Sequence, residues 1–355
     1  MSTVAEFKIE KIQFINTDGS TTGTLPDFTK DIKNILAMYR LMTLTRILDT
    51  KAVNLQRMGK MGTYPSSLGQ EAVSIGMAFG MQQKDIFVPY YRDQGAMIQR
   101  GVKISEILRY WGGDERANNY VDAQVREDFP IAVPVSSQNL HAAGAGFAVK
   151  YHKQQRAVIG TCGDGATSKG DFYEAMNFAG VEQLPVVFVV NNNQWAISVS
   201  RRSQTHAQTI AQKAIACGFE GIQVDGNDAI AMRYATARAC EKARAGKGPT
   251  LIEAVSYRLC DHTTADDARR YIAEQELKDA WQFEPILRLR NYLLKQNAWN
   301  ETEEAKLHKE CAAEVDQAVN EYLNTAPQEP TAMFDHLYAE LPEELIVQRE
   351  EVQVN

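Results

Sequence analysis

The sequence predicts an α/β protein: a central parallel sheet with helices on both faces and helical extensions at either end. Two observations carry that expectation. From residue 156 onward, apolar β-branched runs alternate with helical stretches, the pattern of a parallel sheet buried on both faces. The first two runs also end on oxygen-bearing side chains, Gly-Asp-Gly at 163–165 and Asn-Asn-Asn at 191–193. Ligands of such sheets sit at the carboxyl ends of strands.

The elements follow in order. Residues 1–26 are polar and carry the turn-rich "NTDGSTTG", so an arm is expected, loosely ordered unless a partner binds it. Residues 27–59 place Ile32, Ile35, Leu36, Tyr39, Leu44, Ile47 and Leu48 at helical spacing, with Asp27 or Thr29 as a cap. "GQEAVSIGMAFGM" reads as a small-residue helix. "DIFVPYYRDQGAMIQRG" reads as a short strand, a loop at Pro89 and a helix, and 138–150 as an Ala/Gly-rich helix. Strand 156–162 then precedes helix 168–182, strand 185–191 precedes helix 207–217, and strand 221–225 precedes helix 228–245. Strand 249–256 closes the series. The tail is helical and charged. The division expected is an arm (1–26), an α/β domain (27–270) and a helical C-terminal extension (271–355).

Composition removes several classes. A net charge of −7 argues against a general nucleic-acid or anionic-membrane binder. No apolar run is long enough to span a bilayer, and the start lacks a signal core. Cys162, Cys217, Cys240, Cys260 and Cys311 are odd in number and scattered. That fits a reducing cytoplasm rather than a disulfide scaffold or a zinc site.

The two strand ends suggest a metal–phosphate site. Gly163 and Gly165 permit a sharp turn and close backbone approach. The helix start near Ser168–Gly170 is expected to aim free N–H groups at the same point, which suits phosphate. Asp164 beside a phosphate makes electrostatic sense with a cation between them. Asp, Asn and a carbonyl are the hard oxygen ligands that magnesium takes. Asn192 and Asn193 end the next strand, with residues 166–191 between the two motifs. No GxGxxG follows a strand, and no GxxxxGK[ST] is present, so a dinucleotide or P-loop site is the weaker reading.

This pair of motifs at this spacing resembles the signature of thiamine-diphosphate enzymes. Over roughly 30–345 the chain further resembles one family, the alpha subunit of the first, decarboxylating component of 2-oxo acid dehydrogenase complexes. The stretches that carry the resemblance are "GTYPSSLGQEA" (62–72), "YRDQG" (91–95), "GDFYEAMNFAG" (170–180), "VDGND" (224–228), "GKGPTLIEAVSYR" (246–258) and "HTTADD" (262–267). The resemblance implies a thiamine-diphosphate-binding fold, with Mg2+ held by Asp164, Asn193 and the Trp195 carbonyl. It also places Gly165 and Ala166 N–H groups on the diphosphate, Tyr91 and Arg92 on the cofactor, and Val133, Val135 and Ala196 around it. His262 would sit beside the diphosphate and reaction centre as the catalytic residue, ordered by Arg258.

Single-chain enzymes of that class carry two α/β units, whereas this chain has one. The resemblance therefore implies a beta subunit, an α2β2 heterotetramer and a lipoyl-bearing acyltransferase that takes the acyl group. "GTYPSSLGQEA" is closest to pyruvate-type members, and branched-chain 2-oxo acid and acetoin types are the alternatives. The chain departs from the family at "VPVSSQN", where relatives often read Gly-Ala-Gln. It also lacks a histidine near the GQE motif and in 112–122. His141 is expected to pack, and Thr263 matches a regulatory phospho-serine position of some relatives.

Overall fold

The computed structural model describes residues 1–335 and 337–354. In chain order the elements are β1 (Glu10–Ile12), α1 (Ile32–Arg57), α2 (Glu71–Gly80), β2 (Ile86–Val88), α3 (Gln94–Arg100), α4 (Ile104–Trp111) and α5 (Ser137–Tyr151). Then come β3 (Val158–Gly163), α6 (Gly170–Val181), β4 (Val186–Asn192), the strand pair β5 (Trp195–Ala196) and β6 (Val199–Ser200), α7 (Arg201–Gln204) and α8 (Lys213–Ala216). β7 (Glu220–Asp225), α9 (Ala229–Arg244) and β8 (Thr250–Val255) complete the sheet region. α10 (Glu274–Trp281), α11 (Pro285–Lys295), α12 (Glu301–Leu323) and α13 (Glu343–Val354) follow.

Six strands form one parallel sheet in the order β1-β7-β8-β4-β3-β2. Successive side chains on a strand face opposite ways, and the core divides accordingly. Ile159, Val187, Val189 and Ile252 pack with α2, α3 and α9 on one face. Val158, Val186, Phe188, Val190 and Leu251 pack with α5 and α6 on the other. Each fully buried side chain of this kind contributes about 1.5–3 kcal/mol. The α2–α9 contact is close because Gly76 carries no Cβ; one there would lie 2.6 Å from the Met232 Cβ. A further core joins α1, α4, α11 and α12, where Tyr39 Oη donates to Glu304.

Two expectations are corrected. Residues 1–26 do not form a loose arm throughout, because β1 pairs with β7 in register Glu10↔Ile222 to Ile12↔Val224. Ile15 is fully buried. Asp228 holds this segment: its Oδ2 accepts from the N–H groups of Phe14 (2.7 Å) and Ile15 (2.8 Å). Its Oδ1 caps α9 by accepting from Ile230 and Ala231. A three-residue edge strand shows too few alternations to be seen in sequence.

The helix expected over 207–217 shrinks to α8. Ala211 N–H goes to the buried Glu253 carboxylate and Thr209 N–H to the Gln212 side chain. Such side-chain bonds compete with helical ones.

Candidate active site

β3 and β4 lie side by side, with Gly163 opposite Asn191. Their carboxyl ends open on one cavity. Tyr90, Tyr91, Arg92, Val135, Asp164, Gly165, Ala166, Asn193, Trp195, Ala196 and His262 all line it. Of the residues expected around a cofactor, Val133 alone lies off this wall, and it is about half exposed.

Asp164 opens a short 3-10 turn over Asp164–Ser168, and α6 starts only at Gly170. Ser168–Gly170 therefore does not face the cavity; Gly165 and Ala166 do. The turn packs so closely on the β5–β6 hairpin that a Cβ at Gly165 would lie 2.6 Å from the Ala196 Cβ, so only glycine fits there. Asp164 is 2% exposed, and burial pushes its carboxyl up to about 6. Its Oδ2 accepts from Gln204 Nε2 at 3.0 Å.

Asn193 is buried, and its Oδ1 accepts from Trp195 N–H at 3.2 Å. An amide oxygen has two lone pairs, so one remains for a ligand. Gln194 and Ile197, at φ 73° and 54°, bend the chain on either side of Trp195–Ala196. Left-handed backbone costs about 1–3 kcal/mol at such residues and concentrates at functional sites. The Trp195 indole donates to Tyr257 Oη at 3.0 Å, which in turn donates to Glu276 at 2.7 Å.

The buried carboxylate of Asp164 and the Asn193 amide oxygen are the donor set of a hard divalent cation. Among the described residues no group of three or more His, Cys, Asp or Glu is placed to hold a metal. A cation here would thus rest on one carboxylate, one amide and a backbone carbonyl, with phosphate oxygens completing its shell. The residues present fit a metal–diphosphate pair.

His262 faces the same cavity. Its Nδ1 accepts from Arg92 Nη2 at 2.9 Å and from Arg258 Nη1 at 3.3 Å. Burial and these two guanidiniums hold the imidazole down to about 3. A guanidinium can only donate, so Nδ1 is the acceptor and the single proton sits on Nε2. Arg92, expected on the cofactor, lines the cavity. Within the chain its Nη1 donates to Ser66 O (2.5 Å) and its Nη2 to His262 O (2.7 Å) and His262 Nδ1. It is 2% exposed and stacks on the Tyr91 ring at 5.2 Å. His141 is solvent-exposed and stacks on Phe129, with ring centroids 5.8 Å apart.

Sequence reading missed Tyr90, Gln70 and Gln204. Tyr90 Oη and Gln70 Oε1 both accept from Asn191 Nδ2. Gln70 stood in plain view inside "GQEA", but a single buried amide carries no periodic signal.

Comparison with known proteins decides the family. Residues 39–331 match the model of the dehydrogenase E1 component. The chain belongs to that family. Among its E1 relatives, the pyruvate dehydrogenase E1 component subunit alpha of Acholeplasma laidlawii is 40% identical over 90% of this chain and 92% of its own length. The protein of the same name from Mycoplasma genitalium is 38% identical, over 88% of this chain and 87% of its own. That of Staphylococcus epidermidis is 36% identical over 97% and 92%. The six-stranded parallel sheet flanked by helices fits the E1 alpha fold. No described helix is long and apolar enough to cross a membrane.

Proposed function

We propose that this chain is the alpha subunit of a pyruvate-decarboxylating E1 enzyme that works with thiamine diphosphate and Mg2+. One observation carries the reading: Asp164 and Asn193, buried at the ends of adjacent strands, face a single cavity with His262. The names of the relatives supply the substrate, pyruvate, and the subunit role. A beta subunit in an α2β2 assembly supplies what a chain with one such sheet lacks. A lipoyl-bearing acyltransferase takes the acetyl group. Five cysteines, none of them in a disulfide, suit the cytoplasm.

Asp164, Asn193 and the Trp195 carbonyl would hold the magnesium, and the Gly165 and Ala166 N–H groups the diphosphate. Val135 and Ile197 supply apolar walls. Thiamine diphosphate, when bound, supplies the carbon nucleophile and the electron sink for loss of carbon dioxide. His262 keeps a proton on Nε2 throughout the neutral range. It acts as a fixed hydrogen-bond donor toward an anionic oxygen, which strengthens as negative charge builds up there. Arg92 and Arg258 fix its tautomer.

The test is Mg2+- and thiamine-diphosphate-dependent decarboxylation by the co-expressed alpha and beta chains, with pyruvate against 3-methyl-2-oxobutanoate. Preference for pyruvate by at least about tenfold in kcat/KM, or about 1.4 kcal/mol, is expected. Preference for the branched acid overturns the substrate assignment. Activity on neither acid, with cofactor bound, points to acetoin.

A further inference from the structure

We infer that Gln70 is a positioning residue for the metal: it sets which atom of the Asn193 amide is presented to the cation. The inference rests on the magnesium reading above and concerns a side chain outside the cavity wall. Gln70 is 1% exposed and immediately precedes α2. Its backbone N–H bonds Ser67 O at 2.9 Å and its carbonyl accepts from Val73 N–H at 3.1 Å. The side chain is thus launched from a fixed point.

Gln70 Oε1 accepts from two amides at once, Asn193 Nδ2 at 2.8 Å and Asn191 Nδ2 at 3.1 Å. The orientation of this set follows from a backbone group. Trp195 N–H can only donate, and it points at Asn193 Oδ1. The Asn193 NH2 must then face Gln70, so Gln70 must offer oxygen. The reversed Asn193 amide would oppose N–H to N–H at Trp195 and oxygen to oxygen at Gln70. In low-dielectric surroundings both contacts are unfavourable. The amide oxygen is left to accept from Trp195 and to meet a cation. A reversed amide would aim two N–H donors at a positive ion.

Asn191 makes the arrangement stiffer. Its Nδ2 also reaches Tyr90 Oη at 2.9 Å, and its Oδ1 accepts from Ser256 Oγ at 2.6 Å. Gln70 is therefore held by a strand end that is itself anchored on two sides. Gln70 Nε2, by contrast, has no hydrogen-bond partner among the described residues. The role uses only the oxygen, which fixes the chemistry of the test.

Gln70→Met keeps nearly the same length and removes the acceptor. Gln70→Glu keeps an acceptor for both amides and gives up no bond on the other oxygen. Both are made in the alpha chain co-expressed with the beta chain. The Mg2+ concentration that half-saturates thiamine diphosphate binding is read from tryptophan fluorescence quenching, without turnover. Gln70→Met is expected to raise it about 10–100-fold, the usual effect of losing an outer partner of a metal ligand. The metal-free thermal midpoint should stay within a few degrees of wild type. Gln70→Glu should bring the value back to within about threefold of wild type.

Unchanged metal dependence in a folded Gln70→Met variant, with Asp164→Ala abolishing it, overturns the positioning role and leaves the proposed function standing. Failure of Gln70→Glu to restore binding also overturns the role. A wild-type assembly that binds the cofactor without a divalent ion overturns both. Where Gln70→Met does not assemble, a crystal structure of the magnesium-loaded wild type reads the same point. Asn193 Oδ1 on the metal with Nδ2 on Gln70 is expected, and a reversed amide overturns the role.

Discussion

Arg92 grips His262 twice, donating to the ring Nδ1 at 2.9 Å and to the backbone carbonyl of the same residue at 2.7 Å. One guanidinium thereby fixes both the loop and the tautomer of its imidazole. Arg258 reaches the same nitrogen at 3.3 Å. Two cations beside a half-buried ring keep it neutral.

The pH dependence follows. Burial, Arg92 and Arg258 hold His262 at about 3, so kcat/KM between pH 5.5 and 8 should show no step from this residue. Replacing Arg92 by Gln removes the nearer cation, and the ring should then titrate closer to its ordinary 6.5. Nitrogen-15 NMR of labelled histidine in the assembled enzyme reads this directly. A wild-type His262 that titrates above pH 6 would refute it.

Asp164 offers the buried carboxylate of the proposed metal site. Asp164→Asn should lower the affinity for thiamine diphosphate with Mg2+ by at least about 100-fold, or about 2.7 kcal/mol, since a neutral amide replaces the site's one charged ligand. Calorimetric titration of the alpha chain assembled with its beta chain measures it. Retained affinity would remove Asp164 from the metal.

Asp93 is wholly buried, and burial raises its carboxyl to about 7. The folded chain therefore holds a proton there that the unfolded chain has released above its ordinary 3.8. Stability from this group is greatest below about pH 4 and declines as pH rises toward 7, by a few kcal/mol at most. Asp93→Asn keeps the oxygen that accepts from Tyr90 N–H and Thr161 Oγ1. The variant should gain on wild type in urea denaturation at pH 8 and lose that gain at pH 5. An equal difference at both values would count against the assignment.

Asp228 ties α9 to the N-terminal segment through four backbone N–H groups. Asp228→Ala should cost about 1 kcal/mol for the lost cap and about 1–3 kcal/mol for each buried N–H left without a partner. Residues 1–26 should become the first site of proteolysis. Hydrogen exchange at Phe14 and Ile15 distinguishes this from global loosening, because those two amides should lose protection ahead of the β4 amides.

Much of the fold was legible because β3, β4 and β8 are long apolar runs bounded by glycine, proline or asparagine, and α9 carries an aspartate cap. The site was legible where its atoms come from motifs, at Asp164, Gly165, Asn193 and His262. It was not legible where single polar side chains act across the chain. Gln204 reaches Asp164 from forty residues away, and Gln70 reaches Asn193 from 123 away. The helix does start near Ser168–Gly170, at Gly170, but the 3-10 turn at Asp164–Ser168 stands ahead of it, so Gly165 and Ala166 line the cavity instead. Val133 was carried by resemblance alone, and it lies off the cavity wall.

The place of β1 on the edge of the sheet bears on how the chain is made. Its partners lie more than two hundred residues downstream, and the Asp228 carboxylate is 213 positions from Ile15. At roughly 5–20 residues per second of synthesis, the first strand waits on the order of ten to forty seconds after it emerges. In that interval Phe14 and Ile15 are apolar and unpaired, while β2, β3 and β4 can already assemble. A segment made before the rest of the sheet is thus among the last to find its neighbours, and closing that edge is a late step in building the subunit.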